Sequence, residues 1–273
     1  MKEKSPSRAL LKENCSRMER SGFSDNVPMS QRIIAKFNGD EMKRVNTNIN
    51  SIPAIIWGDD SDKVFIHVHG KMSRKEYAEH LAGIAEKKGW QTISFDLPEH
   101  GERTNQAYRC DIWNGMKDLS VIADHAFSNW NKVSLFACSL GAYFALNTYA
   151  DRKFDQILFQ SPIVDMKWLV EHMMIWSNVT EEQLKQEQEI ETPIDTLRWD
   201  YYRYIVEHPV RKWHKDTQIL YGALDTLQEM KCLRDFAEKF EAKLTISEKS
   251  GHSFMGENDP IIVNEWLEKT IRP

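Results

Sequence analysis

The sequence predicts an α/β fold: a mostly parallel central sheet flanked by helices, with an inserted helical cap. Three observations carry that expectation. Residues 63–70 form a near-continuous apolar strand, 74–88 a helix-compatible segment and 91–96 a second strand, which is the order of a parallel crossover. Residues 133–138 are an apolar run that passes at Ser139 directly into a second helix-compatible segment, 140–150. The alternation then stops over 163–213 and resumes as strand 218–225, helix 228–240, strand 243–246 and helix 260–270.

Composition limits the classes of partner. With 41% hydrophobic residues over 273 positions, the chain can build one sizeable core, and no composition shift marks a second independent domain. The 36 basic residues are outnumbered by 41 acidic ones, a net charge of −5, so a nucleic-acid partner is not expected. Four scattered cysteines (Cys15, Cys110, Cys138, Cys232) contain no Cys-x-x-Cys spacing and predict neither a disulfide framework nor a zinc knuckle. The first twenty residues mix both charges without an apolar core, and no later run has the length of a membrane span, so neither a secretory signal nor a membrane partner is expected. The expected compartment is cytoplasmic.

Taken in order, residues 1–30 are a polar arm with one apolar pair, Leu10-Leu11. Core-forming sequence begins at 31 and runs to 162. Short β-like runs at 33–37 and 52–57, separated by Gly39-Asp40, predict antiparallel edge strands. In strand 63–70, His67 and His69 lie two apart and face the same way, but no third ligand of suitable spacing accompanies them, so no metal is expected. Ile112, Met116, Leu119, Ile122, Ala123, Ala126 and Phe127 recur at helical spacing and place a helix over 111–130. A strand at 154–160 closes this half. The insertion 163–213 opens with an apolar helix over 164–176, continues with a capping-box start at Thr180 and Gln183, and ends in the aromatic segment 199–205. The core then resumes over 214–273.

The turn at Ser139 is the first candidate for chemistry. Ala137 and Gly141 stand two residues to either side of it, and only small side chains fit where a strand reverses into a helix this sharply. By itself the pattern also suits a helix-capping serine. Further landmarks follow in order along the chain: His69-Gly70-Lys71 after a strand, the segment Asp96-Leu97-Pro98-Glu99-His100-Gly101-Glu102-Arg103 after the next, Asp225 after a late strand, and His252 in a loop before the final helix. In joint order and spacing the chain, over about residues 31–271, resembles the α/β-hydrolase superfamily, whose triad runs serine, acid, histidine. The resemblance implies Ser139 as nucleophile, His252 as base and Asp225 as the acid, with the backbone N–H groups of Lys71 and Leu140 receiving the oxyanion. Asp165, after the preceding strand, is the rival acid, and Asp225 could instead cap the helix that follows it. In the Asp96–Arg103 segment, Glu99 stands where the family has glycine and Arg103 where it has serine, departures expected to touch only the rim of the site.

This constellation predicts a serine hydrolase cleaving a carboxylic ester or thioester of a small soluble substrate through an acyl-enzyme, without a cofactor. An amidase or aminopeptidase of the same fold, and a non-catalytic small-molecule binder, are the alternatives. Aromatic and methionine side chains of the insertion, among them Trp168, Trp176, Trp199 and Tyr202, are candidates for an acyl pocket, although packing alone would also explain them. Monomer and homodimer both remain open.

Overall fold

A computed structural model describes residues 42–273; the arm at 1–30 and the expected strand at 33–37 lie outside the described residues. The described chain divides into a larger unit, 42–169 with 204–273, and a smaller one, Val170–Arg203.

The larger unit is built on an eight-stranded sheet. Its strands are β1 (Arg44–Ile49), β2 (Ile52–Trp57), β3 (Lys63–Val68), β4 (Gln91–Phe95), β5 (Lys132–Cys138), β6 (Ile157–Gln160), β9 (Gln218–Gly222) and β10 (Lys243–Ser247), in the order β1-β2-β4-β3-β5-β6-β9-β10. Only the β1–β2 and β2–β4 pairings are antiparallel. Of the two antiparallel edge strands expected near the start, 52–57 forms β2, antiparallel but second from the edge; the edge position is taken by Arg44–Ile49, a segment too polar to be read as a strand, most of whose residues face solvent.

The chain lays β4 on one side of β3 and then crosses to lay β5 on the other, so a topological switch point falls between the carboxyl ends of β3 and β5, where open α/β sheets place their ligands. One sheet face presents Phe65, Phe136, Leu158 and Leu220, and α1 (Glu79–Glu86) and α8 (Asp259–Thr270) close it with Leu81, Ile84, Trp266 and Leu267. The opposite face carries Val68, against which Gly141 of α3 (Ser139–Thr148) packs. Helix α2 (Ile112–Asn129), capped by the Asp111 side chain on the Asn114 N–H, lies so close to α3 that a side chain at Gly115 would run into the Phe144 ring.

Along the chain, the divisions between the units fall within α4 (Met166–Trp176), after Leu169, and within α6 (Trp199–Glu207), after Arg203. The smaller unit holds α5 (Glu181–Glu187), whose capping box is complete: Thr180 Oγ1 accepts from the Gln183 N–H and Gln183 Oε1 from the Thr180 N–H. It also contains an antiparallel ladder, β7 (Glu189–Glu191) with β8 (Thr196–Arg198), that the sequence pattern did not reveal, because three-residue strands leave no periodicity to read. Within this unit Trp199 stacks obliquely on Tyr202 at 5.9 Å, and the Tyr202 hydroxyl donates to Glu171 at 3.1 Å. The last elements, α7 (Met230–Phe240), β10 and α8, return to the larger unit.

Candidate active site

Strand β5 delivers the chain to Ser139, whose φ of 48° lies in the left-handed region that a non-glycine residue adopts only under strain. Two glycines make the turn possible. A Cβ at Gly141 would overlap the His69 carbonyl oxygen, and one at Gly70 would stand 3.0 Å from the Ser139 Cβ. The turn after β5 and the loop after β3 therefore touch through backbone, and the serine hydroxyl is presented above the switch point.

Two distant loops complete the arrangement. His252 Nε2 lies 2.8 Å from Ser139 Oγ, and His252 Nδ1 lies 2.7 Å from Asp225 Oδ2. The Asp225 carboxylate is fully covered, while the imidazole keeps 19% exposure. Asp225 does not cap the helix that follows it, since α7 begins at Met230 with Glu229 as its N-cap; its Oδ2 faces His252, while its Oδ1 accepts from the N–H groups of Leu227 at 2.8 Å and Gln228 at 3.3 Å in the preceding turn. Asp165 points elsewhere; it is exposed, and its Oδ1 accepts from the Trp168 N–H at 2.9 Å in the first turn of α4. Trp168 is half-buried there, Trp176 lies edge-on to His172, and Trp199 and Tyr202 make the contacts described within the smaller unit.

The loop that contains Lys71 is fastened to the segment after β4 at three points. His69 Nε2 accepts from the Leu97 N–H at 3.1 Å while its Nδ1–H meets the Gly70 carbonyl at 2.7 Å. The Met72 N–H donates to His100 Nε2 at 3.0 Å, with His100 Nδ1–H on the Pro98 carbonyl at 2.8 Å. Lys75 then meets Asp96 twice, from its N–H at 2.9 Å and its ammonium at 2.7 Å. Each acceptor role requires a neutral imidazole, and burial supplies it by pushing His69 down to about 3 and lowering His100. For Lys75, burial opposes the charge, but the hydrogen bonds its ammonium donates to Asp96, Glu102 and Glu76 outweigh it and raise its pKa. Leu140 is the second residue of α3, so its N–H belongs to the first turn, where helical donors have no partner within the helix.

Of the two departures in this segment, Glu99 is exposed as a rim residue would be, and Arg103 is not. Glu99 occupies its family-glycine position at φ 60° and uses its carboxylate to accept from the Cys110 N–H at 2.7 Å. Arg103 is not at a rim: it is buried, with Nη1 on the Asp96 carbonyl at 3.0 Å and on Asp118 Oδ2 at 2.6 Å, so it braces the segment from beneath. Cys138, beside the serine, has its thiol pushed up to about 12 by burial, which leaves it without thiolate character at neutral pH.

Ser161 was not singled out by the sequence. At φ 44° after β6, it donates its hydroxyl to the His252 carbonyl at 2.6 Å. A serine after a strand carries no spacing signal, and its partner lies 91 residues away.

Sheet order, antiparallel edge and strained turn after β5 together define an α/β-hydrolase fold. No protein-family model and no curated protein matches the sequence. Among solved structures, Est1E from Butyrivibrio proteoclasticus superposes with a TM-score of 0.65 at 13% identity, covering 83% of this chain and 96% of its own. The mouse alpha/beta hydrolase domain-containing protein 10 gives 0.66 at 12% identity, covering 84% and 98%. A putative hydrolase from Agrobacterium vitis S4 gives 0.66 at 16% identity, covering 85% and 99%. Among the described residues no helix is long and apolar enough to cross a membrane.

Proposed function

We propose that this chain is a serine hydrolase that cleaves a carboxylic ester or thioester of a small soluble substrate through an acyl-enzyme. The observation that carries the reading is the unbroken line from Asp225 Oδ2 through His252 to Ser139 Oγ, 2.7 Å and 2.8 Å, ending on a serine held at φ 48°. A serine hydroxyl is a weak nucleophile at neutral pH and needs a base within hydrogen-bond reach. Here His252 Nε2 takes the Oγ proton as Oγ bonds to the carbonyl carbon, and Asp225 holds the proton on Nδ1 and stabilises the imidazolium. The N–H groups of Leu140 and Lys71 receive the oxyanion. His252 returns the proton to the leaving alcohol or thiol, a water then repeats the sequence on the acyl-enzyme, and the carboxylic acid is released with Ser139 restored.

Similar folds are borne by proteins described as an esterase from Pyrococcus furiosus, as Est1E bound to ferulic acid, and as a monoacylglycerol lipase from Paleococcus ferrophilus; these support ester chemistry without specifying the substrate. The cysteines agree with a reducing, cytoplasmic setting. The test is hydrolysis of p-nitrophenyl acetate and butyrate, together with covalent labelling by a fluorophosphonate. Parent protein should turn over and be labelled, while Ser139→Ala should do neither at an unchanged melting temperature. Folded parent protein that resists labelling would leave a binder in place of an enzyme.

A further inference from the structure

We propose that Asp259 is a positioning residue for His252, its buried carboxylate closing the loop that carries the imidazole into a ring; this rests on the triad reading above. The loop leaves β10 at Ser247 and enters α8 at Asp259, and most of it is exposed, with Ser250 and Phe254 its buried side chains. It contains Gly251 and Gly256, next to and four residues beyond His252, so its own backbone preferences do not fix the imidazole.

Asp259 supplies what the loop lacks. It is 4% exposed, and its Oδ1 accepts from Ser250 Oγ at 2.5 Å while Oδ2 accepts from the Gly256 N–H at 2.7 Å. One carboxylate thus grips the residue two before His252 and the residue four after it. The grip extends in two directions. Ser250 Oγ pairs with Ser247 Oγ at 2.6 Å, anchoring the ring to the end of β10. The Ser250 carbonyl accepts from the Leu224 N–H at 3.0 Å, and it lies so close to Gly222 that a Cβ there would overlap it. The ring that holds His252 is therefore fastened to the turn that carries Asp225. Standing as the first residue of α8, the carboxylate is also placed where a helix favours negative charge. Asp259 makes no contact with the imidazole, so its influence reaches the chemistry only through the loop backbone.

The variants separate positioning from plain stability. Asp259→Asn keeps the geometry: its carbonyl can accept from Gly256, and its amide can donate to Ser250 Oγ, whose own proton turns to Ser247. Asp259→Ala removes both arms, and Ser250→Ala removes one and stands in if Asp259→Ala does not fold. Measured on full-length protein with p-nitrophenyl butyrate, well below each melting temperature, Asp259→Ala should lose about 10–100-fold in kcat at nearly constant KM, because a misplacement on the order of 1 Å costs that much. Ser250→Ala should lose several-fold, and Asp259→Asn should return to within about threefold of the parent. Fluorophosphonate labelling rates, which need the same base, should fall in step. Unchanged kcat in Asp259→Ala and Ser250→Ala with only a lowered melting temperature would overturn the positioning role, as would a loss in Asp259→Asn equal to that in Asp259→Ala. Turnover retained in Ser139→Ala would instead remove the triad reading beneath it.

Discussion

Replacing Asp225 by asparagine tests the proposed acid most sharply, because the structure fixes how the amide must sit. The native carboxylate divides its work: Oδ1 accepts two backbone N–H groups, from Leu227 and Gln228, and Oδ2 faces His252 Nδ1. If the asparagine oxygen stays with the backbone donors, its NH₂ points at Nδ1. The imidazole must then carry its proton on Nε2, where it cannot accept one from Ser139. Turning the amide over restores the tautomer but aims NH₂ at two N–H groups that lose their acceptor. Each such loss costs about 1–3 kcal/mol, so the competent orientation lies roughly 2–6 kcal/mol uphill. At about 1.4 kcal/mol per factor of ten, that places kcat some 10–10⁴-fold down, and the loss of imidazolium stabilisation favours the upper end. Asp165→Asn keeps the cap on the Trp168 N–H and should stay within about threefold. The assay is steady-state hydrolysis of p-nitrophenyl butyrate at neutral pH, with folding checked by circular dichroism. An Asp225→Asn enzyme within tenfold of the parent, or an Asp165→Asn enzyme more damaged than it, would refute the assignment.

Further outcomes follow from the same geometry. Gly222→Ala should lower kcat by at least tenfold, since its Cβ would press on the Ser250 and Gly251 carbonyls and displace the His252 loop; an unaffected kcat would show that the loop yields without cost. His67 is buried against Phe136, with its Nδ1 unpartnered, and burial lowers its pKa from 6.5 to about 4. Because the folded value lies below the unfolded one, its contribution is intact above pH 6.5 and is lost as pH falls towards about 4, at up to ~1.4 kcal/mol per unit. His67→Leu should therefore flatten the fall in urea midpoint between pH 6.5 and 4, and an unchanged slope would contradict that origin. For a pocket formed by the insertion, kcat/KM over p-nitrophenyl esters should peak at short to medium chains, with steps of about 0.8–1 kcal/mol per methylene, and Trp199→Ala or Tyr202→Ala should flatten the profile. A profile still rising at palmitate would exclude that pocket.

Local chemistry made much of this protein legible from its sequence. Strand and helix periodicities gave the crossover through β3, α1 and β4 and the long helix α2, because burying one face imposes a repeat that needs no knowledge of partners. The turn at Ser139 was visible because the strained backbone admits only small neighbours at Ala137 and Gly141. Asp225 and His252 were visible only as a resemblance in order along the chain. Tertiary structure decided which acid meets the histidine: Asp165 and Asp225 both follow strands, and only the folded distances separate them. It also decided the supporting contacts, such as Ser161 with His252, Asp259 with Ser250, and Arg103 with Asp118. Serines, aspartates and arginines in loops carry no periodicity, and a hydrogen bond selects its partner by position in space. For Ser161 and His252, that partner is 91 residues away along the chain, a separation on which sequence pattern has no hold.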